Sequence, residues 1–445
     1  MKNDGKLEFE TLKTNKKRIY FLCGFVCVVG LLIILITNSS LAKYRVTESI
    51  PLINGTINYE LSDLNLIGVY IEDGNDYTKV DQIPDSGYTF NSEKSYCKIG
   101  DEKQDMTITY DMNTKTLNIA PMTTKGTKCY LYFDEQKILL ADAIKRDNQI
   151  NSGTPNFANI ATTNEGVYKA QDDWGDSYYF RGAVNNNWVK FANFYWRIIR
   201  INGDGSIRMI YSGNGSPATT GTSTQISTSA FHSTYNNNNM YVGYMYTSGQ
   251  VHGLGTNSTI KGVLDSWYQT NIANKGYGDQ ISKETGFCGD REPSTNSSTS
   301  NGAGGTGTTV TYYGGYIRLT NSTKSPTLKC KNNEDMYTVS GSSRGNKALT
   351  NPVGLITADE VAMAGGVYGQ TNQSYYLYTN SAYWTMSPYL FNASFSFAFV
   401  FIVNSSGYLN GSNVSNTIGV RPVINLSADV TAKSGNGTSS KPYEI

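Results

Sequence analysis

Along most of this chain apolar and polar residues alternate in short groups, but residues 19–36 (IYFLCGFVCVVGLLIILI) form an unbroken apolar run without a charge. As a helix that run would span about 27 Å at ~1.5 Å per residue, close to the hydrocarbon thickness of a bilayer. It has no polar face to turn toward water. Lys16-Lys17-Arg18 precede it, and only Lys43 and Arg45 follow closely. The positive-inside bias therefore predicts a cytoplasmic basic tail (1–18), a single transmembrane helix (19–37) and an extracellular bulk on the cell membrane. A cleaved signal peptide competes with this reading, because Ser40-Leu41-Ala42 offers small residues at a cleavage position.

Period-two alternation dominates the segment 44–134, in runs such as 66–71, 106–110, 116–120 and 129–133. Turn residues such as Asp73-Gly74-Asn75 and Lys125-Gly126 separate them, which predicts a small all-β sandwich acting as a stalk. Ile138, Leu139, Ala143 and Ile144 then fall at helical spacing, so 135–160 reads as a helical linker. From 161 to 428 strand patterns return at 177–181, 188–191, 196–201 and 207–211. Asn202-Gly203-Asp204-Gly205 stands as a hairpin turn between the last two. Two amphipathic helices are expected here. One, 258–272, places Ile260, Val263, Leu264 and Trp267 on one face; the other, 357–364, opens on the capping box Thr357-x-x-Glu360. Strands flanking two helices predict an α+β domain, followed by a flexible tail at 429–445.

Composition narrows the function. Lys and Arg number 37 against 36 Asp and Glu, a balance that offers no footprint for nucleic acid. Abundant Tyr, Asn, Ser, Thr and Gly suit an exported β-rich protein. Cys97, Cys129, Cys288 and Cys330 lie outside the apolar run, an even number with three possible connectivities. Cys97–Cys129 with Cys288–Cys330 is favoured, because each pair closes a loop within one expected domain; four free thiols remain the alternative.

Motifs that suggest chemistry lack their context. Gly302-Ala303-Gly304-Gly305-Thr306-Gly307 matches a dinucleotide fingerprint but follows a polar low-complexity stretch rather than a strand. Gly341-Ser342-Ser343-Arg344-Gly345 matches a nucleophile elbow, yet Pro352 soon follows and both histidines, His232 and His252, precede it. Two histidines twenty residues apart make a thin metal site. No catalytic set, metal site or cofactor is expected.

Tyr383-Trp384-Thr385-Met386-Ser387-Pro388 and Gly419-Val420-Arg421-Pro422-Val423 resemble motifs of a large family of exported bacterial proteins of unassigned function. That family shares the C-type-lectin-like fold with the formylglycine-generating enzymes, and the resemblance covers about 161–428. It implies a C-type-lectin-like domain with Trp384 and Arg421 as scaffold. Oxidase activity is not carried over, since no cysteine follows Cys330, and the Glu-Pro-Asn or Gln-Pro-Asp motif of calcium-dependent sugar binding does not occur.

Residues 389–416 use only Tyr, Leu, Phe, Asn, Ala, Ser, Val, Ile and Gly, all reachable from an Asn codon by replacing adenines. This suits a diversified binding surface, in which Tyr and Phe give rigid contact area while Ser, Gly and Asn adapt. The alternation of Phe395, Phe397, Phe399 and Phe401 equally suits a half-buried strand. Loops at 388–393 and 404–416 are expected to supply the contacts, with Tyr389, Phe391, Asn392, Tyr408, Asn410 and Asn413 as ligand-binding residues. The resulting expectation is a membrane-anchored adhesion or ligand-binding protein whose partner is an extracellular protein or glycan. An exported enzyme and a pilus-like subunit are the alternatives.

Overall fold

The computed structural model describes residues 57–58, 65–74, 76–85, 87–121, 126–294 and 304–445. Among them strand reaches 40% and helix only 14%. The expected α+β class with a transmembrane helix is thereby corrected. The amphipathic signals mark real helices, but these are isolated pieces of two to four turns, and extended sheet carries the architecture. No helix among the described residues is long and apolar enough to cross a membrane. Residues 1–37, on which the tail, the span and the single-pass orientation rest, lie outside the described residues. The anchor is withdrawn.

The chain divides into two compact units at Gln136/Lys137. In the N-terminal unit a five-stranded sheet runs in the order Asp76–Val80, Asn65–Asp73, Lys128–Glu135, Tyr88–Ile99, Glu102–Gln104. A second sheet orders Ile57–Asn58, Thr116–Ala120 and Thr107–Asp111. Alternation decides the packing. Cys129, Leu131 and Phe133 point inward with Val69 and Cys97, and meet Ile108, Tyr110, Leu117 and Ile119 in one core. Cys97 and Cys129 are cross-strand partners and are bridged.

The C-terminal unit holds two larger sheets. One carries Asn164–Gln171, Asp176–Gly182, Phe194–Ile201, Ile207–Asn214 and Val423–Leu426. Its hairpin pairs Ile201 with Ile207 across the Asn202–Gly205 turn. The other centres on Tyr383–Asn392, flanked by Phe397–Val403 and then Leu409–Asn413 on one side and Ile418–Val420 on the other. Among the described residues four short α-helices fill the connections: α1 (Leu140–Asp147), α2 (Thr259–Asn271), α3 (Gly314–Thr320) and α4 (Ala358–Ala364). Ser258 caps α2, whose Ile260, Leu264 and Tyr268 are buried. Thr357 and Glu360 form the capping box of α4, and Gly365 closes it at φ 114°.

Two segments differ from expectation. Residues 135–160 are no linker: α1 buries Leu140, Ala141, Ala143 and Ile144 in the core of the C-terminal unit. Residues 429–445 are no loose tail. Thr431–Ala432 pairs with Ile138–Leu139, and Tyr443–Glu444 pairs with Trp188–Phe191. Tyr443 is fully buried and its hydroxyl donates to Asp147 at 3.0 Å.

Candidate functional site

The stretch read as two binding loops is mostly strand. Tyr383–Asn392 extends through residues 388–392, which leaves a tip of four residues, 393–396, before Phe397–Val403 begins. Asn392 makes that turn: its Oδ1 accepts the N–H groups of Ser394 and Phe395 at 3.0 and 3.2 Å. Asn413 builds a similar turn, its Oδ1 accepting from Ser415. Asn410 Oδ1 accepts from Gly411 N at 2.9 Å. Tyr408 closes the turn before Leu409–Asn413, where its N–H donates to Asn404 Oδ1. Phe391 is fully buried and cannot touch a ligand. Trp384 is buried and donates Nε1–H to Ser229 O at 2.9 Å. Arg421, also buried, donates to Tyr211 O and lies 4.7 Å over the Tyr383 ring.

Tyr389 belongs to a half-buried tyrosine cluster. Its hydroxyl meets that of Tyr368 at 2.7 Å, and its ring packs 4.9 Å from Tyr316 and from Phe401. Gly411 makes room for it, since a Cβ there would come within 2.3 Å of the Tyr389 ring. Burial and the Tyr368 hydroxyl raise the Tyr389 pKa far above the ordinary phenol value.

The phenylalanine series forms a gradient along one strand. Phe401 is fully buried and Phe399 half-buried, whereas Phe397 is 38% exposed and Phe395, at the tip, 68%. A hydrogen bond from Ala398 N to Asn236 O at 2.7 Å brings a second segment alongside. Next to Asn236 stands Tyr235, 55% exposed, with its ring stacked 5.8 Å from Tyr241. Phe395, Phe397 and Tyr235 thus lie within three residues of one backbone hydrogen bond. Sequence reasoning missed them, because even spacing of phenylalanines signals a buried face. The signal that marks the tip is the Asn392-Ala393-Ser394 turn, beyond which the strand leaves the core.

Two polar regions test the enzymatic alternative. A cleft lined by Arg200, Arg208, Asp290, Arg318, Asp359 and Glu360 has about 20 Å³ of room, enough for about one water molecule. Its charges compensate one another: Arg200 meets Asp172 at 2.5 Å and Glu360 at 3.1 Å, while Arg318 meets Asp290 and Asp359 at 2.6 and 2.8 Å. Burial pushes the Asp290 carboxyl up to about 6, against the pull of Arg318.

His252 lines an open cavity of about 690 Å³. Its Nδ1 lies 3.0 Å from Asp335 and its Nε2 3.4 Å from Glu292, and the Asp335 contact raises its pKa. Asp335, however, is already committed to the backbone N and Nε of Arg291. His232 is buried against the Tyr241 ring, and burial lowers its pKa. Ser343 is tied to Glu284, and no helix follows it to make an elbow. Among the described residues no group of three His, Cys, Asp or Glu side chains could hold a metal ion.

Cys288 and Cys330 are bridged, so both expected disulfides are formed, which fits a secreted protein. No family model, curated protein or solved structure matches the chain.

Proposed function

We propose that this chain is an exported, non-enzymatic ligand-binding or adhesion protein, and that it grips an extracellular protein or glycan through the aromatic tip of its C-terminal unit. The observation that carries the reading is that Tyr235, Phe395 and Phe397, three large side chains left open to water, lie on two segments joined by the Ala398–Asn236 hydrogen bond. Scattered exposed apolar residues need no explanation, but clustered aromatics on a braced turn favour contact. The turn is pre-formed by Asn392, so little ordering entropy opposes binding. The charges of the polar cleft are spent on one another, which leaves it room for about one water molecule.

The test replaces Phe395 and Phe397 by Ser in the secreted protein. Attachment to cells or to an arrayed panel of glycans and proteins should fall at least roughly tenfold, about 1.4 kcal/mol. The melting temperature should hold, because neither side chain is in the core. Retained attachment defeats the proposal.

A further inference from the structure

The outer face of the five-stranded sheet in the N-terminal unit carries a ladder of tyrosines. Tyr70 stacks on Tyr132 at 4.9 Å and 11°, and Tyr96 stacks on Tyr130 at 4.9 Å and 18°. Tyr77 closes one end, edge-on to Tyr132 at 5.1 Å. Register produces the ladder. Tyr70 pairs with Tyr132 in a parallel ladder, and Tyr96 pairs with Tyr130 only because the pairing shifts between Asn91 and Tyr96. Gly68 leaves space for the Tyr70 ring, which a Cβ there would meet at 2.7 Å.

Ammonium groups edge this ladder. Lys103 Nζ sits 4.2 Å from the Tyr96 ring centre, Lys94 Nζ 4.1 Å from Tyr77 and Lys98 Nζ 5.5 Å from Tyr130. Lys79 and Lys128 share the face by register, opposite Tyr70 and Lys98. Two carboxylates share it too: Asp134 accepts the Tyr77 hydroxyl and Asn91 Nδ2, and Glu72 accepts Glu135 N. Asp101, in the adjoining turn, lies 3.9 Å from Lys98. Five lysines against three carboxylates, Asp101 included, make a local positive excess on a chain whose net charge is only +1.

We propose that this face binds acidic polysaccharide. The tyrosine ring faces are spent on one another and on lysines, so what they offer a ligand is edges and hydroxyls. Stacked nucleobases need open ring faces and find few here. Sugar hydroxyls and ring-borne carboxylates or sulfates need hydrogen-bond donors and cations, which this surface supplies along about 19 Å, four strand spacings of ~4.8 Å. Cross-strand stacking also fixes the tyrosines in advance.

The test passes full-length protein over immobilised polygalacturonate, heparin, dextran and poly(dT). Both acidic polysaccharides should retain it at low salt and release it as salt shortens the Debye length, and dextran should not retain it. Lys98→Gln with Lys103→Gln and Lys128→Gln, all near the surface, should weaken retention roughly tenfold without moving the melting temperature. Tyr70→Ser with Tyr132→Ser should weaken it too, and Phe395→Ser should leave it unchanged. Equal retention on dextran, tighter retention on poly(dT), or unaltered retention of the triple lysine variant overturns the proposal.

Discussion

Glu360 ties three parts of the C-terminal unit together, so replacing it by Gln gives a sharp measurement. Its Oε2 accepts the Thr357 N–H at 2.9 Å and closes the α4 capping box. Its Oε1 lies 2.5 Å from Arg208 Nε and 3.1 Å from Arg200 Nε. Burial alone would raise the Glu360 pKa, yet the two guanidiniums and the Thr357 amide hold it below the usual range. Gln keeps an acceptor oxygen for the cap, but it removes the charge and turns an NH2 donor toward the two guanidiniums. Arg200 retains Asp172, whereas Arg208 is left with the neutral oxygens of Gly286, Leu355 and Asn425 at 3.2–3.5 Å. An uncompensated buried charge costs about 3–5 kcal/mol. At about 2 °C per kcal/mol for a unit of this size, the melting temperature should fall by roughly 6–10 °C.

Thermal unfolding followed by circular dichroism at pH 7 reads the effect, with Thr357→Ala as the control for cap loss alone, about 1 kcal/mol. The pH dependence fixes the cause. Because the folded pKa is depressed, the wild-type advantage is full above the unfolded value of about 4.5 and is lost as pH falls through the folded value. The gap between wild type and variant should therefore close in acid. A drop of less than about 1 kcal/mol at pH 7, or one that persists unchanged in acid, would refute the reasoning.

Two further outcomes follow from the same unit. Asp290 has its pKa raised to about 6 by burial, so its ionisation opposes folding as pH climbs from about 4 through 6; Asp290→Asn should flatten the decline in melting temperature over that window, and a decline of unchanged slope would count against it. Gly407 sits at φ 82°, where an added Cβ would lie 1.9 Å from Asn372 O, so Gly407→Ala should cost more than about 1 kcal/mol in urea titration, and a neutral outcome would show that the turn relaxes freely.

Local chemistry was readable where neighbours in sequence are neighbours in space. The Asn202–Gly205 hairpin needs only a turn and two flanking alternations, and the Thr357–Glu360 box needs four residues. Phe391 and Phe395 show where local reading stops. Both stand in one aromatic-rich stretch, yet Phe391 pairs with Ala398 within the sheet while Phe395 lies past the turn. Burial there depends on the strand's exit from the core, which composition does not record. The tail misled for a similar reason: Tyr443 is held by Trp188–Phe191 and by Asp147, partners some 250 to 300 positions earlier. A Gly- and Ser-rich approach to it reads as loose chain.

The tyrosine ladder carries this reasoning furthest. Alternation in Lys128–Glu135 shows that Tyr130 and Tyr132 oppose Cys129, Leu131 and Phe133, so their exposure on the outer face follows from the core. Their stacking does not. It depends on Asn65–Asp73 lying parallel to that strand, and on a register shift in Tyr88–Ile99 that realigns Tyr96 after Asn91. Shifting one strand by a single residue would turn its tyrosines into the core and its cysteine outward. Cys97 and Cys129 pair directly in that register, and their bridge restricts the unfolded chain by about 3–4 kcal/mol. The cross-link that steadies the interior therefore also locks the register that aligns Tyr96 with Tyr130 outside. Reduction should loosen the ladder and its polysaccharide retention together, whereas retention that survives reduction would separate the binding face from the bridge beneath it.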